Sequence, residues 1–194
     1  MILSVCFIAN ELMTQPRISK YELCWAVFHP FVALKVKNLL SEAMISYEEV
    51  RLTRVLDTNE SGGKLDAFRH VFTMSFLSQK FKVRKLKKLG IAHEKGNKHL
   101  FYKNRQEFGE RSDSLSCVMD LRNNDLGFVI GSSNQAVAKD SLIIIVINLI
   151  KEGNAWYLKR NAKNEYVSCE NELIMMEKYQ KKWFVPKCLI KTNE

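Results

Sequence analysis

Apolar residues recur at helical spacing through most of this chain, and only eight glycines and three prolines interrupt them. The stretch Tyr21 to Val50 predicts a helical region with Leu34, Val36, Leu39, Leu40, Ala43 and Met44 on one side, broken or kinked at Pro30. The run DTNESGG, residues 57–63, is turn-forming, and a second helical region starts at Lys64. Its stripe of Phe68, Phe72, Phe76 and Leu77 is expected to be buried. It is expected to continue to a stop at Gly90, with a bend near Lys80. The segment after it, IAHEKGNKHLFYKN, is expected to end at Gly96 and Asn97, with a polar loop over residues 104–113. Ser114 to Leu126 predicts a helix that buries Leu115, Val118, Met119 and Leu121 and closes at Gly127. KDSLIIIVINLIKEG predicts a helix ending at Gly153, with Asp140 or Ser141 as its cap. After it the texture alternates, and a Lys163-Asn164 turn predicts a short hairpin followed by a basic, aromatic tail. The expected architecture is mainly α: a single compact helical domain over residues 1–153, with a small β-hairpin and tail, residues 154–194, packed on it.

Length and composition support that expectation. The 194 residues, 46% apolar and 26% charged, describe a globular chain that can bury a core. No apolar run approaches the roughly 20 residues that a membrane-spanning helix needs. The opening MILSVCFIANELM has no basic residue before its apolar stretch, so it reads as a packed helix or an interfacial segment rather than a signal peptide, and the expected location is cytoplasmic. Export by a specialised secretion system remains compatible with that reading. Five scattered cysteines, with no CxxC, are expected to be free buried thiols in a reducing compartment.

Charge adds one localised feature. The formal charge is +9, and the segment from Lys80 to Arg105, with ten basic residues and one acid, carries all of that excess. Lys80, Arg84, Lys87 and Lys88 would form an outward anion-binding stripe on a helix. The same stripe would also serve as an ordinary solvated face. Phosphate, nucleic acid, anionic lipid and acidic protein all suit such a surface.

Three polar groups interrupt the apolar pattern. In Asp66-Ala67-Phe68-Arg69-His70 the carboxylate and the imidazole stand four apart on one helix face, so Asp66 can orient His70. Asp66 would equally serve the helix dipole, with His70 a satisfied buried residue. In Ala92-His93-Glu94 one side chain is a candidate ligand and the other a candidate proton acceptor. The spacing is not that of an HExxH zinc site. In Met119 to Asp125, the oxygen-bearing side chains of Asp120, Asn123 and Asn124 share a face, which suits either a polar network or a capping cluster. Together these residues compose a mixed nitrogen and oxygen site: His70, His93 and Asp120 as ligands of a divalent metal such as zinc, and Glu94 as general base. Asp66 would then orient His70, and Asn123 or Asn124 would orient substrate or a ligand.

DAFRH at residues 66–70, AHE at 92–94 and MDLRNNDLG at 119–127, with FHPFVALKVKNLLSEA upstream, resemble an uncharacterised bacterial family found as stand-alone proteins and as toxin-tip domains. The order of groups is also similar to that of helical metal phosphohydrolases with a histidine-aspartate doublet, although the doublet here ends in Glu94. The family resemblance implies a hydrolytic effector acting on an envelope or nucleic-acid substrate. The expected function is a metal-dependent hydrolase of a phosphoester or cell-envelope substrate. Two alternatives stand beside it: a metal-free cell-wall hydrolase using Glu94, and a non-enzymatic binding module whose polar network fixes helix packing while its basic face holds an anionic partner.

Overall fold

A computed structural model describes residues 18–105 and 110–194. The expectation for the N-terminal segment lies outside the described residues. Six helices are described: α1 (Lys20–Phe28), α2 (Pro30–Thr53), α3 (Lys64–Ser78), α4 (Val83–Tyr102), α5 (Ser114–Ser133) and α6 (Lys139–Lys151). Two short strands, β1 (Trp156–Leu158) and β2 (Leu189–Lys191), pair antiparallel, with Tyr157 opposite Ile190. The mainly α class with a small C-terminal β element is what the sequence pattern predicts.

Local chemistry sets the helix starts. Ser19 and Glu22 form a capping box on α1, and Pro30 begins α2 where a missing N–H costs nothing. Asp113 caps α5 by accepting from the backbone N–H groups of Leu115 and Ser116. α6 corrects the expected cap: it begins after Ala138 with no side-chain cap, and Asp140 lies in its first turn.

Helix α3 is the axle of the fold. Twelve of its fifteen residues are buried, including Asp66, His70, Ser75 and Ser78. Phe68, Phe72 and Phe76 stack in sequence with centroids 5.3 and 5.9 Å apart. They pack with Ala43 and Tyr47 of α2 and with Leu142, Val146 and Ile150 of α6. A second cluster joins Trp25, Leu77, Leu86, Leu89 and Phe128. Leu34 and Val118, expected inside, are exposed, because α2 and α5 turn Val36, Ala43 and Met119 inward instead.

Three expected helix stops are corrected for one reason. α4 runs through Gly90 and Gly96, and α5 runs through Gly127 to Ser133. These glycines mark close packing rather than termination. A methyl group on Gly127 would stand 2.5 Å from the Val71 carbonyl oxygen, and one on Gly131 would fall on the Ser75 carbonyl and Ser78 Oγ. Missing side chains thus let α5 lie against the backbone of α3. The real interruption comes earlier, at residues 79–82, so the expected continuous helix from Lys64 to Gly90 is two helices.

The C-terminal segment also departs from expectation in detail. The turn at Lys163-Asn164 exists, with Asn164 at φ 64°, but it closes only the single bridge Arg160–Tyr166. β1 pairs instead with β2, which follows it by about thirty residues. Cys169 and Cys188 form a disulfide, which corrects the expectation of free thiols throughout. Cys117 is free and buried as expected, whereas Cys24 is free but exposed, against the expectation of burial.

Candidate metal centre

Asp66 and His70 lie one turn apart on α3, and Asp120 faces them from α5. His70 Nε2 is 3.5 Å from Asp66 Oδ1 and 3.3 Å from Asp120 Oδ1. One ligand atom from each of the three residues lies within 4.8 Å of the other two. Ligands held about 2.1 Å from one tetrahedral ion stand roughly 3.4 Å apart, so the group could hold a metal ion without large movement. All three side chains are buried.

The surroundings fix Asp66 and His70. The backbone N–H of Gly62 donates to Asp66 Oδ2 at 2.6 Å. Gly62 has φ +71°, a conformation suited to glycine, and a side chain there would meet the Tyr166 hydroxyl and Leu158. His70 Nδ1 lies 3.2 Å from Asn124 Oδ1. Because a carbonyl oxygen only accepts, Nδ1 carries the proton and, in the neutral ring, the Nε2 lone pair faces the two carboxylates, which are themselves acceptors. Burial lowers the His70 pKa to about 3, although the Asp66 charge opposes that shift. The ring is therefore neutral near pH 7, and a lone pair between two carboxylates calls for a cation.

One cation is already adjacent. Arg69 Nη2 lies 2.5 Å from Asp66 Oδ1 and 3.4 Å from His70 Nε2. Sequence reasoning quoted Arg69 within DAFRH but gave it no role; its position three residues after Asp66 was the available signal.

The other predicted residues divide around this centre. His93 on α4 faces α1, where its Nδ1 lies 3.1 Å from Glu22 Oε1. Burial pushes the Glu22 pKa up, but the bonds to His93 and Ser19 outweigh it and the net shift is downward. Glu94 points toward α5, is buried, and accepts from Asn97 Nδ2 at 3.2 Å. It also hydrogen-bonds Cys117, whose thiol pKa is pushed up by burial first and then by the charges of Glu94 and Asp120. Asn123 is bonded elsewhere: its amide donates to the Trp156 carbonyl and accepts from the Trp156 N–H, both at 2.9 Å. Lys80, Arg84, Lys87 and Lys88 are exposed, with Lys87 Nζ 2.9 Å from Asp125. Lys80 lies in the link between α3 and α4.

A cleft of about 180 Å³ opens beside the centre, lined by Lys87, Gly90, Ile91, Leu121, Asn124 and Phe128 among others. A methyl group on Gly90 would stand 3.1 Å from Asn124 Nδ2, so the bare glycine leaves room beside the amide that holds His70. No helix among the described residues is long and apolar enough to cross a membrane.

Comparison with known proteins gives a family and no activity. No curated protein matches the chain, and no solved structure does. The sequence model of the family described as Domain of unknown function (DUF6973) matches residues 23–154, which take in all six helices but the first three residues of α1, and the chain belongs to that family.

Proposed function

We propose that the protein binds one divalent transition-metal ion at Asp66, His70 and Asp120 and hydrolyses a phosphoester bond there. The observation that carries this reading is the convergence of a neutral imidazole nitrogen and two carboxylate oxygens from adjacent helices at ligand-to-ligand spacing. One nitrogen and two oxygens suit zinc, manganese or iron better than calcium or magnesium. Such an ion supplies Lewis acidity and lowers the pKa of water in its open position. Asn124 fixes the ring tautomer, and the Gly62 N–H fixes the Asp66 carboxylate. Glu94, buried on α4, is the candidate base. His93 serves this site by bracing α4 against Glu22 of α1. The resemblance to toxin-tip domains makes a secreted effector the fitting biological setting.

One observation favours a second reading. Arg69 already pairs with Asp66 beside His70, so the group can be a metal-free network that locks α3 to α5. Equilibrium dialysis against zinc and manganese, with metal measured on wild type, Asp120→Asn and His70→Gln, separates the two. One bound equivalent in wild type, lost in both variants while their helical circular dichroism persists, supports the metal site. Binding absent in wild type, or unchanged in the variants, supports the network. With metal bound, hydrolysis of bis(p-nitrophenyl) phosphate is expected from wild type and not from Glu94→Gln.

A further inference from the structure

The basic segment and the C-terminal tail, far apart in sequence, meet in space. Along the solvent face of α4, Arg84, Lys88, Lys95, Lys98 and Tyr102 are all exposed. Over these eighteen residue steps the stripe is about 27 Å long. The single acid of the segment, Glu94, is turned inward and buried, so the stripe itself carries only positive charge. At its C-terminal end the stripe meets Trp183, which the sequence places more than eighty residues away. The Trp183 ring lies 5.2 Å from Phe101 and 6.5 Å from Tyr102, inclined to Tyr102 by only 27°. Lys98 Nζ sits 5.6 Å above Trp183, Lys182 Nζ 5.1 Å above Tyr179, and the Arg111 guanidinium 5.7 Å from Phe101. Between α4 and residues 176–185 lies a cavity of about 340 Å³, lined by Phe101, Arg111, Tyr179, Lys182 and Val185 among others. Its acids are Glu177 and Asp113, and Asp113 is held by Lys187 Nζ at 2.7 Å. Tyr102 itself is 66% exposed although Phe101 and Trp183 lie against its ring.

We propose that this face binds single-stranded nucleic acid, with phosphates along the α4 lysines and bases on the Tyr102–Trp183 platform. Cations interleaved with aromatic rings are the combination that holds an unpaired strand: the charges follow the backbone, and every base offers a face for stacking. A lipid surface would use the charges and leave the ring geometry without purpose. A duplex hides its base faces and would use only the charges. As a statement about substrate this rests on the phosphoester reading above; as a statement about binding it does not.

The test uses the full chain, a fluorescein-labelled 20-nucleotide oligothymidylate and EDTA throughout, read by fluorescence anisotropy. Binding is expected at low salt, with affinity falling steeply as salt rises. Tyr102→Ala is expected to weaken it about tenfold. Lys98→Gln and Lys182→Gln are each expected to lower the salt slope by about 0.7. Because EDTA is present throughout, strand binding is read without a metal ion, so failure of the metal reading stays distinguishable from failure of this one. Inorganic polyphosphate at equal charge is expected to compete poorly. The proposal is overturned if the strand does not bind at low salt, if Tyr102→Ala binds like wild type, or if polyphosphate or anionic phospholipid vesicles compete as well as unlabelled strand.

Discussion

The helical body and the C-terminal segment are held together by different mixtures of forces. From α2 to α6 the body is a buried apolar core around α3, sealed by glycines that bring α5 against its backbone. Residues 154–194 contain only six residues of strand, and a small apolar cluster of Leu158, Tyr166, Ile174 and Val185 around Met119 is supplemented there by discrete polar and covalent ties. Cys169 is linked to Cys188, buried Lys187 pairs with Asp113, and Tyr166 lies between the Lys187 ammonium and the Arg160 guanidinium, 3.6 and 3.8 Å from its ring centre. An area-driven core tolerates loss of any one contact by degrees. A segment with a small core and few ties depends more on each of them.

The two regions meet at the candidate metal centre. Asn123 of α5 grips both polar groups of the Trp156 backbone, and Gly62, which fixes Asp66, accepts from the Leu158 N–H at 2.8 Å. Lys187 pairs with the residue that caps α5, the helix carrying Asp120. The C-terminal segment therefore braces the two elements that present the carboxylates.

Substitutions should separate the regions in graded order. Gly131→Val drives a side chain into the Ser75 carbonyl, where backbone cannot yield, and is expected to abolish cooperative thermal unfolding, checked by circular dichroism. Removing the disulfide by Cys169→Ser with Cys188→Ser releases a closure of 19 residues and is expected to cost about 3 kcal/mol. Hydrogen exchange should then rise across residues 155–192 while α3 and α6 stay protected; uniform loss would mean that the two regions unfold as one. Asn123→Ala removes two hydrogen bonds across the junction and is expected to cost about 2 kcal/mol in urea unfolding. In the disulfide-free background its cost should shrink, because the strand it grips is already loosened.

The same contrast explains what the sequence revealed. Helical periodicity made α2, α3, α5 and α6 legible, and the spacing of Asp66 and His70 made half of the centre legible. Gly90, Gly96 and Gly127 misled because a glycine that ends a helix and one that admits a neighbouring helix look alike until the neighbour is known. His93 lies against Glu22 because α1 packs on α4, a contact seventy residues apart that no local pattern records. The disulfide was hidden because five scattered cysteines allow many pairings and only the folded chain brings residues 169 and 188 together. Trp183 joins Phe101 and Tyr102 for the same reason: its partners belong to tertiary structure.

The central claim is that a divalent cation belongs where Asp66, His70 and Asp120 converge, in the place that the Arg69 guanidinium borders. A crystal structure of the protein grown with zinc, with anomalous diffraction collected at the zinc edge, tests it most directly. The account predicts one anomalous peak about 2.0–2.2 Å from His70 Nε2 and from an oxygen of each aspartate, with Arg69 drawn away from His70. Saturating zinc with no peak at this position, and Arg69 still bonded to Asp66 beside the ring, would contradict it.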